Sequence, residues 1–384
     1  MVRAYAGRFL RTHPTSRQQR RVLRAIARCR TAQLGGHVEA CDACGQQRIA
    51  YNSCRNRHCP KCQGTARAKW LAAEHRMLLP VPYFHVVFTL PHALNPLLRV
   101  NPQRLYGLLF RTAAATLRTF ARDPRHLGAE PAITMVLHTW GQTLTEHVHV
   151  HCVVTGGGLR PDGARWVSLP QLRRRRPFLF PVQALSRVFR GKYLAALRRA
   201  HREGALRFAG ASAPLSAAPP WQRLLAALRR TEWVVYAKRP FGGPERVLKY
   251  LSRYTHRIAI ANRRLRFVGD GVVRFTWRDY ADHHREKEMT LAAEEFLRRF
   301  LLHVVPKGFM RIRHYGLLAN RHRQRKLARC RAVLAVPDPP PAPDAGHTAP
   351  DPTDHPEPAP VRCPSCGGPM RVIEMLAPPP ADTS

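Results

Sequence analysis

The segment Glu146-His147-Val148-His149-Val150-His151-Cys152-Val153-Val154-Thr155 constrains this chain more than any other. β-Branched residues at close spacing favour an extended strand, and a strand sends successive side chains to opposite faces. His147, His149 and His151 therefore share one face, while Val148 and Val150 occupy the other. Stacked imidazoles repel one another when protonated, but as neutral rings they are good donors to a divalent cation. Gly156, Gly157 and Gly158 end the strand. The chain must therefore build a sheet with one face open to apolar packing and the other carrying a nitrogen-rich metal site offered by His147, His149 and His151.

Periodicity sets the rest of the architecture. Helical spacing of apolar residues predicts helices over 16–30, 64–79, 102–121, 182–203, 219–230 and 292–303. Another is expected from Pro244 to about Thr255, with the proline suited to the first turn. Strands are expected at 83–90, 132–139, 147–155, 233–238, 264–269, 272–278 and 287–291. Without regular βαβ alternation, this predicts an α+β fold with a mainly antiparallel sheet, preceded by a small zinc-binding domain. The expected division is a zinc-binding, DNA-binding domain at 1–80, a catalytic domain at 81–325, a Pro-rich linker at 326–361 and a tail at 362–384.

The zinc expectation rests on His37, Cys41-x-x-Cys44, Cys54, His58 and Cys59-x-x-Cys62. Zinc takes four nitrogen or sulfur ligands in a tetrahedron, and a two-residue gap turns both thiolates of a pair to one ion. Cys41, Cys44, Cys59 and Cys62 form the best set, with Cys54, His58 and His37 as further or alternative ligands. Cys363 and Cys366 supply only half a site and need partners such as Cys330 or another subunit. Paired cysteines suit metal binding in a reducing compartment, so a cytoplasm is the expected location.

Lysine and arginine number 64 against 24 acidic residues, a net charge of +40 spread along the chain. Such a field attracts polyanions, with nucleic acid first among them. No run of apolar residues is long enough to span a bilayer. Within Lys249-Tyr250-Leu251-Ser252-Arg253-Tyr254, the i,i+4 tyrosines lie on one face of the expected helix. A phenolic oxygen is a competent nucleophile toward a phosphodiester, because the phosphotyrosine conserves the bond energy for rejoining. A metal would neutralise the scissile phosphate, and Lys249, Arg253 and Arg257 are placed to bind DNA and steady developing negative charge.

Together these motifs resemble the HUH superfamily of rolling-circle nucleases, in which U is a hydrophobic residue. His149-Val-His151 is similar to its histidine motif, Phe84-His-Val-Val-Phe-Thr89 to the preceding strand, and Tyr250-x-x-x-Tyr254 to its two-tyrosine motif. More narrowly, Tyr51-Asn-Ser-Cys-Arg-Asn-Arg-His-Cys-Pro-Lys-Cys62, His149-Val-His-Cys-Val-Val-Thr-Gly-Gly-Gly158 and Lys249-Tyr-Leu-Ser-Arg-Tyr-Thr-His-Arg257 resemble transposases of the insertion sequence ninety-one family. The resemblance covers roughly residues 20–320 and implies a transposase that cuts single-stranded DNA at element ends and transfers it to target DNA. Tyr250 and Tyr254 would act as nucleophiles through a 5′-phosphotyrosine. It implies Mg²⁺ or Mn²⁺ on His149 and His151, with His147 or Gln142 as third ligand, and structural Zn²⁺ in the N-terminal module. Strand parity turns Glu146 away from the histidine pair. A plasmid replication initiator or relaxase of the same superfamily, and a non-catalytic zinc-finger DNA-binding protein, are the alternatives.

Overall fold

A computed structural model of the chain describes residues 1–62, 70–169, 179–238, 246–247, 250, 259–337 and 362–380. It divides into two compact units, one formed by Met1–Thr65 with Pro339–Ser384 and the other by Ala66–Asp338. By packing, the chain divides at 65/66, where a boundary at 80 was expected, and the segment expected as a separate tail groups with the N-terminal unit.

That first unit opens with helices α1 (Val2–Thr12) and α2 (Arg17–Arg28). Ser16 starts α2 by a reciprocal cap: its hydroxyl accepts the Gln19 N–H, and the Gln19 side-chain oxygen accepts the Ser16 N–H. Strands β1 (Gly36–Cys41) and β2 (Gln47–Tyr51) form a hairpin. A third strand, labelled β13 below for its place in the chain (Met370–Leu376), pairs antiparallel on the other side of β1.

The second unit is built on β3 (Tyr83–Thr89), β4 (Ala132–Trp140), β5 (Glu146–Thr155), β8 (Val235–Ala237) and β12 (Ile312–Gly316), in the order β12-β4-β5-β3-β8. Every pairing in this sheet is antiparallel. Between β5 and β8 lies the short hairpin β6 (Gly157–Leu159) and β7 (Trp166–Ser168). A second sheet, β9 (Leu265–Gly269), β10 (Val272–Asp279) and β11 (Arg285–Ala292), packs Phe275 against Phe296 of the helix Ala293–Leu302. The chain is thus the α+β, antiparallel-sheet protein expected, and β12 and the helix Arg323–Val333 are elements that periodicity did not reveal.

Strand alternation gives the central sheet two unlike faces. On one, Phe84, Val86 and Phe88 of β3, Ile133, Met135 and Leu137 of β4, and Val148, Val150, Cys152 and Val154 of β5 are buried. They join the main core with helices Pro102–Arg122 and Val182–Arg202. Each such aliphatic or aromatic side chain contributes roughly 1.5 to 3 kcal/mol by leaving water. The opposite face carries the histidines.

That polar face extends toward β12, where Glu74 of the helical segment 70–75 is 2% exposed. Its carboxylate oxygen stands 3.4 Å from Nε2 of His314. Burial raises the Glu74 pKa to about 7, against the opposing pull of Arg323 and a hydrogen bond from Thr134, while burial and then Arg323 lower His314 to about 4. Because the folded-state value exceeds the ordinary 4.5, protonated Glu74 favours the fold. This contribution is complete below pH 4.5 and is lost as pH rises through 7, a swing on the order of 3 kcal/mol. Glu74→Gln is expected to flatten that pH dependence in denaturant unfolding between pH 5.5 and 8.5. An unaltered profile would show that Glu74 ionises in the fold without cost.

Candidate functional site

His149 and His151 project from the same face of β5, as their alternation requires. The neighbouring strands add two imidazoles to them. In the β4–β5 register His138 lies directly opposite His149, and in the β3–β5 register His85 lies opposite Val153, so all four rings emerge on one side. All four are buried, at 2 to 9% exposed.

Three of the rings converge. Nε2 of His151 is 3.0 Å from Nε2 of His149 and 3.0 Å from Nδ1 of His138. Two nitrogens bound at right angles to one cation at about 2.1 Å would stand roughly 3.0 Å apart, so the spacing fits a shared ion. The far nitrogens of His149 and His151 are committed as metal ligands require. Nδ1 of His149 donates to the His147 carbonyl oxygen at 2.7 Å, leaving Nε2 as the free lone pair at the centre. Nδ1 of His151 is 2.8 Å from Nε2 of His85. Burial depresses the His149 and His85 pKa values to about 3, and His151 falls well below the usual range through burial and the neighbouring His138 and His149. The rings are therefore neutral near pH 7, which is the state that donates to metal.

Tyr250 reaches this cluster. Its hydroxyl lies 3.0 Å from Nδ1 and 2.9 Å from Nε2 of His85, so that with Nε2 taken by His151 the Nδ1 side is left to the phenol, and the two rings meet at 4.7 Å between centroids. A continuous chain of contacts thus runs from the phenolic oxygen through His85 to His151 and the convergent nitrogens. Trp140 stacks on His138 at 4.4 Å and holds that ring in place. Tyr254, Lys249, Arg253 and Arg257 lie outside the described residues, as does most of the helix expected at 244–255.

The expected third ligands are not brought to the centre. His147 is engaged with His92 at 3.2 Å, and the Gln142 amide donates to the Tyr280 hydroxyl at 3.0 Å. Glu146 pairs with Arg99. His138 occupies the third position, although nothing near it in sequence resembles a ligand motif.

The cysteines also part company with the expected set. Cys59 and Cys62 join Cys29 and Cys54, whereas Cys41 and Cys44 join Cys363 and Cys366. In the first group Cys62 Sγ lies 3.4 Å from Cys29 and 3.5 Å from Cys54. These spacings are close to the roughly 3.8 Å edge of a zinc–thiolate tetrahedron and far beyond the disulfide length of about 2.05 Å. Cys29 caps the C-terminal end of α2, a position whose only sequence signal is its place at the end of a helix. Of the extra ligands expected, Cys54 is in the group, whereas His58 bonds Asn56 and His37 bonds Glu39.

Comparison with known proteins bears on most of the chain. Residues 132–326 match the family model described as "Putative transposase", and residues 1–90 match that described as "Transposase zinc-binding domain". A "Putative transposase y4qJ" of Sinorhizobium fredii is 53% identical over 89% of this chain and 85% of its own length. The "Transposase for insertion sequence element IS801" of Pseudomonas savastanoi pv. phaseolicola is 31% identical over 89% of this chain and 80% of its own. The chain belongs to the insertion sequence ninety-one family of transposases. This transposase is accordingly a DNA-cleaving enzyme with an N-terminal module built for structural zinc, and DNA is its partner. The matches favour that identity over the replication-initiator, relaxase and non-catalytic alternatives. Among the described residues, no helix of the transposase is long and apolar enough to cross a membrane. A cleft of about 880 Å³, lined in part by Arg122, Arg160, Arg325, Lys326 and Arg329, adds a concentrated positive surface that includes none of the histidines.

Proposed function

We propose that the transposase cuts one DNA strand at the end of its element by attack of Tyr250 or Tyr254 on a phosphodiester. The phenolic oxygen forms a bond to phosphorus as the bond to the 3′ oxygen breaks. A 5′-phosphotyrosine and, once protonated, a free 3′-hydroxyl result. The remaining tyrosine performs the next cleavage or strand transfer, as in rolling-circle transposition. The observation that carries this reading is the contact of the Tyr250 hydroxyl with His85, one hydrogen bond from His151 and the three convergent ring nitrogens.

In this reading His138, His149 and His151 would hold the catalytic ion, which when bound would supply charge neutralisation at the scissile phosphate. Three nitrogen donors suit Mn²⁺ better than Mg²⁺, whose preference is for oxygen. His85 positions the phenol against the ligand set. Lys249, Arg253 and Arg257 steady the pentacovalent phosphate and bind the flanking strand, and the basic cleft follows the backbone beyond the cut. The substrate is single-stranded, because a buried site of this kind accepts a phosphodiester only when the bases are splayed from their duplex partners.

The test uses the full-length protein, single-stranded oligonucleotides spanning each terminus of the element, and Mn²⁺. The expected product is a denaturant-resistant protein–DNA adduct whose DNA-bearing peptide maps to residue 250 or 254. Cleavage that leaves no covalent species, or an adduct at any other residue, would overturn the proposal.

A further inference from the structure

Four of the six cysteines left over from the first cluster form a second site of the same kind. Cys41 Sγ is 3.5 Å from Cys366, and Cys44 Sγ is 3.7 Å from Cys363 and 3.4 Å from Cys366. All ten cysteines of the chain are unbridged, and these spacings again match a thiolate tetrahedron.

The two halves have the same local geometry, although more than 300 residues separate them. At Cys41-Asp-Ala-Cys44-Gly45, the Gly45 N–H donates to the Cys41 carbonyl oxygen at 3.0 Å, and the Cys41 N–H donates to Gln46 at 3.0 Å. At Cys363-Pro-Ser-Cys366-Gly367, the Gly367 N–H donates to the Cys363 carbonyl oxygen at 2.9 Å, and the Cys363 N–H donates to Gly368 at 2.8 Å. Gly45 and Gly367 both take the left-handed conformation, at φ +72° and +75°. These are matched tight turns, each presenting two sulfurs on one side.

Further contacts weld the turns together. β13 runs antiparallel to β1 from Gly36↔Leu376 to Cys41↔Met370. The Asp42 N–H donates to the Pro369 carbonyl oxygen at 3.1 Å, and Arg371 pairs with the Asp42 carboxylate at 2.7 Å. A Cβ at Gly368 would stand 2.9 Å from the Ala43 side chain and 3.2 Å from the Cys41 sulfur, so only glycine admits this approach.

We propose that the transposase binds two structural zinc ions, the second held by Cys41, Cys44, Cys363 and Cys366. This ion closes the N-terminal unit with a segment from the far end of the chain. The function of Cys363 and Cys366 is then to complete a DNA-binding module whose other half precedes the nuclease, and they need neither Cys330 nor a second subunit. The inference is independent of the chemistry at Tyr250.

Elemental analysis of the full-length protein purified without chelator is expected to give two zinc ions per chain. Cys363→Ser with Cys366→Ser should lower this to one, and Cys330→Ser should leave two. As a control for misfolding, a protease site placed within 340–358 of the otherwise native protein tests the same connection. After cleavage the C-terminal fragment should stay bound on gel filtration and leave on zinc chelation. One zinc ion in the native protein, two in the serine variant, or release of the cleaved fragment without chelation would each overturn the proposal.

Discussion

The variant carrying both Tyr250→Phe and Tyr254→Phe is expected to form no covalent adduct with single-stranded element ends. Cleavage should fall by three or more orders of magnitude, the scale on which removing a nucleophile acts. Phenylalanine deletes one oxygen per site and keeps the ring that packs on His85 at 4.7 Å, so fold and DNA binding should persist. Retained binding on a gel-shift measurement separates lost chemistry from lost structure. The single variants then assign order. Whichever residue performs the first cut will, when changed alone, remove the first adduct, and the other variant will stall after it. A double variant that still cuts would mean that water, not tyrosine, attacks the phosphorus.

The second large effect concerns the metal. His138→Ala should weaken Mn²⁺ binding on the order of 100-fold or more and depress cleavage with it, because it removes one of three convergent nitrogens. His147→Ala and Gln142→Ala should change affinity little, since those side chains contact His92 and Tyr280 instead. Titration calorimetry on the zinc-loaded protein reads the difference directly. If His138→Ala binds Mn²⁺ normally while His147→Ala does not, the third ligand is the one that sequence adjacency suggests.

That His138 was not singled out in the sequence has an identifiable origin. Counting back from the hairpin at 141–145, where Trp140 faces Glu146, a regular ladder would set residue 138 opposite Val148, on the core face. The observed ladder contains an irregularity between His138 and Trp140 that shifts the register by one and places His138 opposite His149. A shift of one residue exchanges the faces of a strand, and nothing in the local sequence declares it.

Local signals elsewhere were reliable. The strands at 83–89 and 146–155, the helices at 102–122 and 182–202, and the helix α2 all follow from periodicity within a few residues. What stayed hidden was settled at a distance. β12 adds itself to β4 from more than 170 residues away, and the grouping of the cysteines depends on β13 meeting β1. Adjacent Cys-x-x-Cys motifs suggested a shared ion because spacing was the only measure available. In the structure the hairpin β1–β2 turns the pair at 41 and 44 toward the far end of the chain, leaving Cys59 and Cys62 to Cys29 and Cys54.

The chain leaves its first unit near residue 65 and rejoins it only after residue 339, with the nuclease synthesised in between. Biosynthetic order and assembly order are consequently inverted: the part made first is finished last. A polypeptide interrupted before Cys363 would contain every strand of the histidine-bearing sheet, yet its leading module would lack an outer strand and two thiolates. Prematurely terminated copies of the gene would thus yield a protein able to fold its histidine-bearing sheet but missing part of its zinc-binding module.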